Sequence, residues 1–257
     1  MRPALASIFL MFLPSVLVGQ VPGDSPDSVL LAISDRGRRL AAYDRAAWHA
    51  TDALMALRPD LREVNVMLPR VQPDGAWIVH FARLSEGRDS LYQIYAVVGS
   101  ESDTSYTAHK TTPPRLLAEP ELRAARALHR ALEDFGKPSR PYNSYVLPRH
   151  DDGFWVYFIP AQTDARAFPH GGDVRYHVAE NGQTIIGRHQ MHVSVMNAAA
   201  PPNAVSGVHT VVSEDLPQDT DVFLVLRRTP RLPELIMTEN HLYEIAVDGS
   251  IRRRPKP

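Results

Sequence analysis

The sequence predicts an α+β protein of two tandem α-β-β-β units, with antiparallel sheets, helices packed on one face, and a second unit lengthened by extra antiparallel strands. Three observations predict it. Apolar residues recur at helical spacing twice, over 34–57 and 119–135, and each time short strand-like runs follow. Tight-turn pairs, Asp74-Gly75 and Asn181-Gly182, separate those runs, and close turns join antiparallel strands. The third is an echo about 78 positions apart. Leu68-Pro69-Arg70 returns as Leu147-Pro148-Arg149, and Asp74-Gly75-Ala76-Trp77 as Asp152-Gly153-Phe154-Trp155. Asp89, Tyr92 and Ile94 return as Asp173, Tyr176 and Val178.

The first helix takes Ser34 or Asp35 as its cap and buries a stripe of Leu40, Tyr43, Ala47, Leu54 and Leu57. Arg58-Pro59 ends it, because a residue before proline avoids helical dihedrals. Strands are expected over 63–68, 76–83 and 91–98, the second rich in β-branched and aromatic residues. The polar, Ser/Thr-rich stretch 99–114 reads as a loop. The second helix carries Pro120 in its first turn and Leu122, Ala125, Leu128, Leu132 and Phe135 on one side. Gly136 closes it. Strands follow over 142–147, 154–159 and 173–179, then an extension over 183–196, 205–212, 222–228 and 241–247. Within the extension, Tyr243-Glu244-Ile245 with Asp248-Gly249 makes a third, partial echo.

Four segments result: a signal peptide over 1–19, a linker over 20–33, a first unit over 34–112 and a second unit over 113–257. The leader has a basic start at Arg2 and an uncharged apolar run from Ala4 to Val18, too short for the ~20 residues of a membrane-spanning helix. Cleavage is expected after Gly19, although Leu17 meets the small-residue rule poorly. No later stretch is long and apolar enough to span, so no transmembrane segment is expected in the mature chain, which is read as periplasmic or secreted.

A helix, a Trp-bearing strand (Trp77, Trp155), a Tyr-x-[Ile/Val] strand (Tyr92 to Ile94, Tyr176 to Val178) and an Asp-Gly turn together resemble the PepSY domain of exported bacterial proteins. The resemblance is one of pattern, over about seventy residues per copy, and implies export but no specific activity.

Composition narrows the chemistry. The chain of 257 residues, 44% hydrophobic and 22% charged, can bury a sizeable core. Its lack of Cys excludes disulfides, thiolate-bound zinc, iron–sulfur clusters and a thiol nucleophile. A net charge of −1 supplies no global field for nucleic acid. Of the 28 basic residues only Lys110, Lys137 and Lys256 are lysine, a bias ascribed to genome composition.

Eleven histidines invite a metal reading. The closest to a motif is His189-Gln190-Met191-His192, but on a strand these two histidines face opposite ways. No metal and no cofactor are therefore expected. His209 with Glu214 and Asp215 makes a candidate hydrolytic set, without a G-x-S-x-G or H-E-x-x-H motif beside it. The acidic stretch 213–221 reads as a solvated connection and Gly171-Gly172 as a turn. Trp77 and Trp155 read as core anchors, and Arg70 and Arg149, each after a proline at a strand end, as the ligand-binding candidates. The expected function is non-catalytic: binding, scaffolding or inhibition in the cell envelope, with a protein or peptide partner added at a sheet edge. The alternative is a His/carboxylate-dependent hydrolase, with or without a metal.

Overall fold

The computed structural model describes residues 26–100, 105–151, 153–164, 167–199, 201–212 and 214–256. The expected leader, the start of the linker and Asp152 of the second Asp-Gly turn lie outside them. The class is α+β with antiparallel sheets, and among the described residues there are three helices.

Helix α1 runs over Pro26–Met55, so residues 26–33 are helix rather than linker. Proline needs no amide partner in a first helical turn, and Leu30 and Ile33 are buried there, which extends the helix ahead of Ser34. A four-stranded antiparallel meander follows: β1 (Val66–Val71), β2 (Ala76–Leu84), β3 (Leu91–Ser100) and β4 (Tyr106–Leu116). β4 occupies part of the segment read as a loop. It is an edge strand with most of its residues exposed or half-exposed, so it shows no apolar alternation.

Helix α2 (Glu119–Phe135) has the expected bounds, with Gly136 at φ +74° closing it through a bond from its N–H to the Leu132 carbonyl. A second meander pairs β5 (Tyr142–Pro148), β6 (Phe154–Pro160), β8 (Val174–Val178) and β9 (Ile185–Gln190), while the short β7 (Phe168–His170) pairs with β10 (Met196–Ala198). The third sheet holds β11 (Gly207–Thr210), β12 (Glu234–Met237), β13 (Leu242–Ile245) and β14 (Ile251–Arg254).

One segment changes identity. The run 222–228, expected as a strand, lies in helix α3 (Asp219–Arg227). Every residue from Val222 to Leu226 is buried, and a short apolar run buried all round has no periodicity to separate helix from strand. Topology decides it. β11 and β12 are parallel, and a parallel pair needs a crossover, which α3 supplies.

Helices cover both faces of the first two sheets. Val79 and Phe81 of β2 pack with Ala50 and Leu54 of α1, whereas Ala82 and Leu84 join the core around α2. Phe154, Val156 and Phe158 of β6 face α2, and Tyr157 and Ile159 join the core shared by α1 and α3. Strands buried on both faces read as continuous apolar runs, as Phe154–Pro160 does.

Both tryptophans pack on the core shared by α1 and α3, but at different depths. Trp77 is buried in the core of α1 and α3. Trp155 is half-buried, with the guanidinium carbons of Arg149 and Arg175 at 4.0 and 4.6 Å from its ring centre. Their registers differ too: Trp77 lies opposite Val71, but Trp155 lies opposite Leu147.

Helix α3 meets α1 closely at Gly37, where an added Cβ would overlap the Cβ of Val222. The buried start of α3 meets the second sheet through Tyr157 and Arg175 and the third through His209.

Candidate metal centre

The first turn of α3 is built from Gln218, Asp219, Thr220 and Asp221, all buried. Buried ionic groups need partners, and each of these acids has them. Asp219 accepts from Arg36 Nε (2.9 Å), from the Tyr157 hydroxyl (2.8 Å) and from Arg175, so it ties α3 to α1, β6 and β8. Asp221 Oδ2 accepts the backbone N–H of Gln218 (2.7 Å), a reciprocal cap at the helix start. That bond fixes the carboxylate and turns Oδ1 away from the helix.

Oδ1 of Asp221 meets three histidines. It lies 3.2 Å from His192 Nε2, 3.2 Å from His209 Nε2 and 3.7 Å from His170 Nε2. The four atoms all fall within 4.8 Å of one another. None of them has a hydrogen-bond partner, and all are buried. The side chains are 11%, 11%, 6% and 0% exposed for His170, His192, His209 and Asp221.

Each histidine arrives by a different route. His170 ends β7, and Gly171 and Gly172 follow at φ +81° and +72°, a reversal that L side chains resist. An added Cβ at Gly171 would also collide with the Ser194 carbonyl. His192 lies beyond the end of β9. His209 is on β11, directly across from Ile236.

Two of the rings are oriented from behind. His192 Nδ1 donates to Asp173 Oδ1 (2.9 Å), and Thr220 Oγ1 donates to Asp173 Oδ2. His209 Nδ1 donates to Glu234 Oε1 (2.9 Å), whose other oxygen accepts from Arg228 (2.6 Å). A carboxylate only accepts, so each Nδ1 carries the proton and each Nε2 faces the cluster. Carboxylate–histidine pairs of this kind orient metal-ligating imidazoles. Gly207 makes room for Glu234, since a Cβ there would overlap its carboxylate.

The electrostatics follow from burial and these partners. Burial opposes charge on His192 and His209, but Asp173, Asp221 and Glu234 outweigh it and raise the two to about 10 and about 9. His170 is dominated by burial and falls to about 4. Asp221 is pushed up by burial, yet His192 and His209 hold it well below the usual carboxylate range.

Three imidazole nitrogens and one carboxylate oxygen suit zinc, and among other divalent ions copper, iron or nickel. Four protein ligands in a tetrahedral array are typical of closed zinc sites. With bonds of about 2.0–2.1 Å, such an array puts neighbouring ligand atoms about 3.3 Å apart. The Asp221 distances are already close to that spacing.

The sequence-expected residues distribute differently. His209 is not joined to Glu214 or Asp215. Glu214 sits 3.0 Å from His189 Nε2, and Asp215 accepts from Thr238 and Asn240, which lower its pKa to about 2. Of the pair His189 and His192, only His192 enters the cluster. It does so because the strand ends at Gln190, so strand alternation does not extend to it. Arg70 pairs with the buried Glu121, and Arg149 grips Asp151 through two bonds of 2.7 and 2.6 Å. Sequence reasoning missed His170, Asp173 and Glu234, and its reading of 213–221 as a solvated connection is corrected by the burial of Asp219 and Asp221. The usable signal was His170-Gly171-Gly172-Asp173, a ligand and an orienting acid on either side of a glycine reversal.

No family model, no curated protein and no solved structure matches the chain, so the resemblance to PepSY domains rests on the sequence pattern alone.

Proposed function

We propose that the protein is a zinc-class metal-binding protein in which one ion, held by His170, His192, His209 and Asp221, fastens α3 to β7, β11 and the segment after β9. The observation that supports this reading is the set of four buried ligand atoms, none with a hydrogen-bond partner, converging within 4.8 Å. Four ligands of low exposure favour a closed, non-catalytic site, in keeping with a binding or scaffolding protein of the cell envelope. The test is metal analysis of the full chain after stripping and reloading. One equivalent of zinc is expected, and less than a tenth in His209→Ala; wild-type protein that retains no zinc refutes the proposal.

A second reading keeps metal-assisted hydrolysis. A cavity of about 200 Å³ is lined by His170 and His209 together with Arg228 and Glu234, so it adjoins one side of the cluster. Hydrolysis of a chromogenic ester that depends on zinc and is lost in Asp221→Asn would favour it.

Export and tandem duplication belong to the same proposal. Export is supported by the apolar leader, and mass spectrometry of the mature chain should find Gln20 at its start. Duplication is supported by the recurrence of a helix followed by a four-stranded meander, while the unlike tryptophan registers weigh against a close copy. A protein or peptide partner rests on the sequence pattern alone.

A further inference from the structure

We propose that a second site, the large cleft bounded by α1, the end of β1, β5 and the end of α3, binds an amphiphilic oxyanion: an apolar body carrying one carboxylate or phosphate group. The cleft measures about 690 Å³, within the ~300–1,000 Å³ of small-molecule pockets. It shares no residue with the metal centre and the inference does not depend on it.

The lining divides into two chemistries. Tyr43, Trp77, Leu147 and Leu226 make an apolar floor of buried side chains, and the half-exposed Val71 and Val247 continue it to the rim. Around it stand five arginines, Arg38, Arg39, Arg45, Arg70 and Arg231, against a single acid, Asp248. Its carboxylate accepts the N–H and hydroxyl of Ser250 at 2.9 and 2.7 Å, which hold it ionised, so it offsets one of the five positive charges.

Arg38, Arg39 and Arg231 carry charge that no buried carboxylate cancels among the described residues. Arg38 Nε donates to the Asp248 backbone carbonyl (2.9 Å), and Arg39 donates to the Pro148 carbonyl (2.6 Å). A carbonyl positions a guanidinium without neutralising it. The Asp35 carboxylate stands 3.9 Å from Arg39 and is well exposed, so it screens little. Arg70 is paired with a buried carboxylate, that of Glu121. Arg231 is exposed and has no hydrogen-bond or ion-pair partner among the described residues. Planar guanidinium forks match carboxylate and phosphate oxygens two at a time. A neutral apolar ligand would leave them unused, and a bare anion would leave the aromatic floor uncovered.

The experiment is calorimetric titration of the full chain with four probes below their micelle concentrations: dodecanoate, dodecyl phosphate, dodecanol and inorganic phosphate. Dodecanoate or dodecyl phosphate should bind at least about tenfold more tightly than dodecanol or phosphate, and the stronger of the two identifies the head group. Arg38→Gln with Arg231→Gln should weaken the anionic probes by at least about tenfold and leave dodecanol unchanged. Arg231→Gln alone, at an exposed side chain, keeps the test valid if the double variant does not fold. The proposal is overturned by equal affinity for dodecanol, by equal affinity for inorganic phosphate, by no binding of either amphiphile, or by unchanged affinity in folded Arg231→Gln.

Discussion

Removing the proposed metal should lower the thermal stability of the chain by an amount that mass action bounds. An ion bound only by the folded state adds RT ln(1 + [L]/Kd), about 4.1 kcal/mol when free metal is about 1,000 times Kd. For chains of about 150–250 residues, each kcal/mol moves Tm by roughly 2–4 °C. Zinc at that excess should therefore raise Tm by about 8–16 °C over the chelated protein. The assay is differential scanning calorimetry with zinc and with a chelator. His192→Ala should abolish most of the response, because it removes one of four converging ligand atoms. His189→Ala is the control: it belongs to the same His-x-x-His run but faces Glu214 and Gln218, so its zinc response should match the wild type. A Tm indifferent to zinc, or a His189→Ala variant as unresponsive as His192→Ala, would falsify the assignment.

Three further outcomes are expected. Asp173→Asn keeps all four ligands but replaces the carboxylate behind His192, and should weaken zinc binding by about 10–100-fold in a competitive chelator titration. Gly37→Ala forces a methyl group against Val222 where α1 crosses α3, and should lower stability by about 1–3 kcal/mol in urea unfolding with the m-value unchanged. The third concerns pH. His80 of β2 is buried, and its Nδ1 donates to Gln93 Oε1 on β3 at 2.7 Å. Burial lowers its pKa below 6.5; the Gln93 bond opposes this, while Arg115 of β4 and Arg70 of β1 add to the lowering. The unfolded chain then binds a proton that the folded chain refuses, so stability is full above pH 6.5 and falls as pH drops toward the folded pKa. Between pH 7.5 and 5.5, in chelator, the urea midpoint should fall by less in His80→Phe than in the wild type; equal falls would show that His80 carries none of the effect.

Legibility from sequence tracked how local the determining physics was. Helix α2 was readable to the residue because its apolar stripe, its N-terminal proline and its C-terminal glycine all lie within it. β4 was not, since an edge strand with little buried surface has no periodic signature. α3 was misread because its buried run is decided by the parallel pairing of β11 with β12, a long-range relation. The metal centre was illegible for the same reason. Its four ligands come from β7, the segment after β9, β11 and α3, and the carboxylates behind them come from Asp173 and Glu234. The sequence sets His192 and His209 beside the wrong neighbours and Asp221 in an acidic connection, and strand parity does not reach His192 because β9 ends at Gln190.

Three carboxylates, Asp173, Asp221 and Glu234, are almost wholly buried around these histidines, and that arrangement constrains the whole region. Burying one carboxylate without a partner is strongly unfavourable, and burying several near one another is worse. Thr220 and the Gln218 amide contribute only partial charges, and Arg228 reaches only Glu234. The remaining compensation has to come from the imidazoles, and they provide it in one of two ways. Protonated, His192 and His209 bring two positive charges to the cluster. Neutral, they leave Nε2 lone pairs pointing at a common centre, where one divalent cation brings the same two charges. The acids packed behind the rings are needed in either state, whereas the inward convergence of His170, which burial keeps neutral, is what the second would use. A proton-balanced salt network gains little from a third imidazole nitrogen 3.7 Å from the same carboxylate oxygen, beyond hydrogen-bond reach, whereas the proposed four-coordinate ion would take it as a ligand.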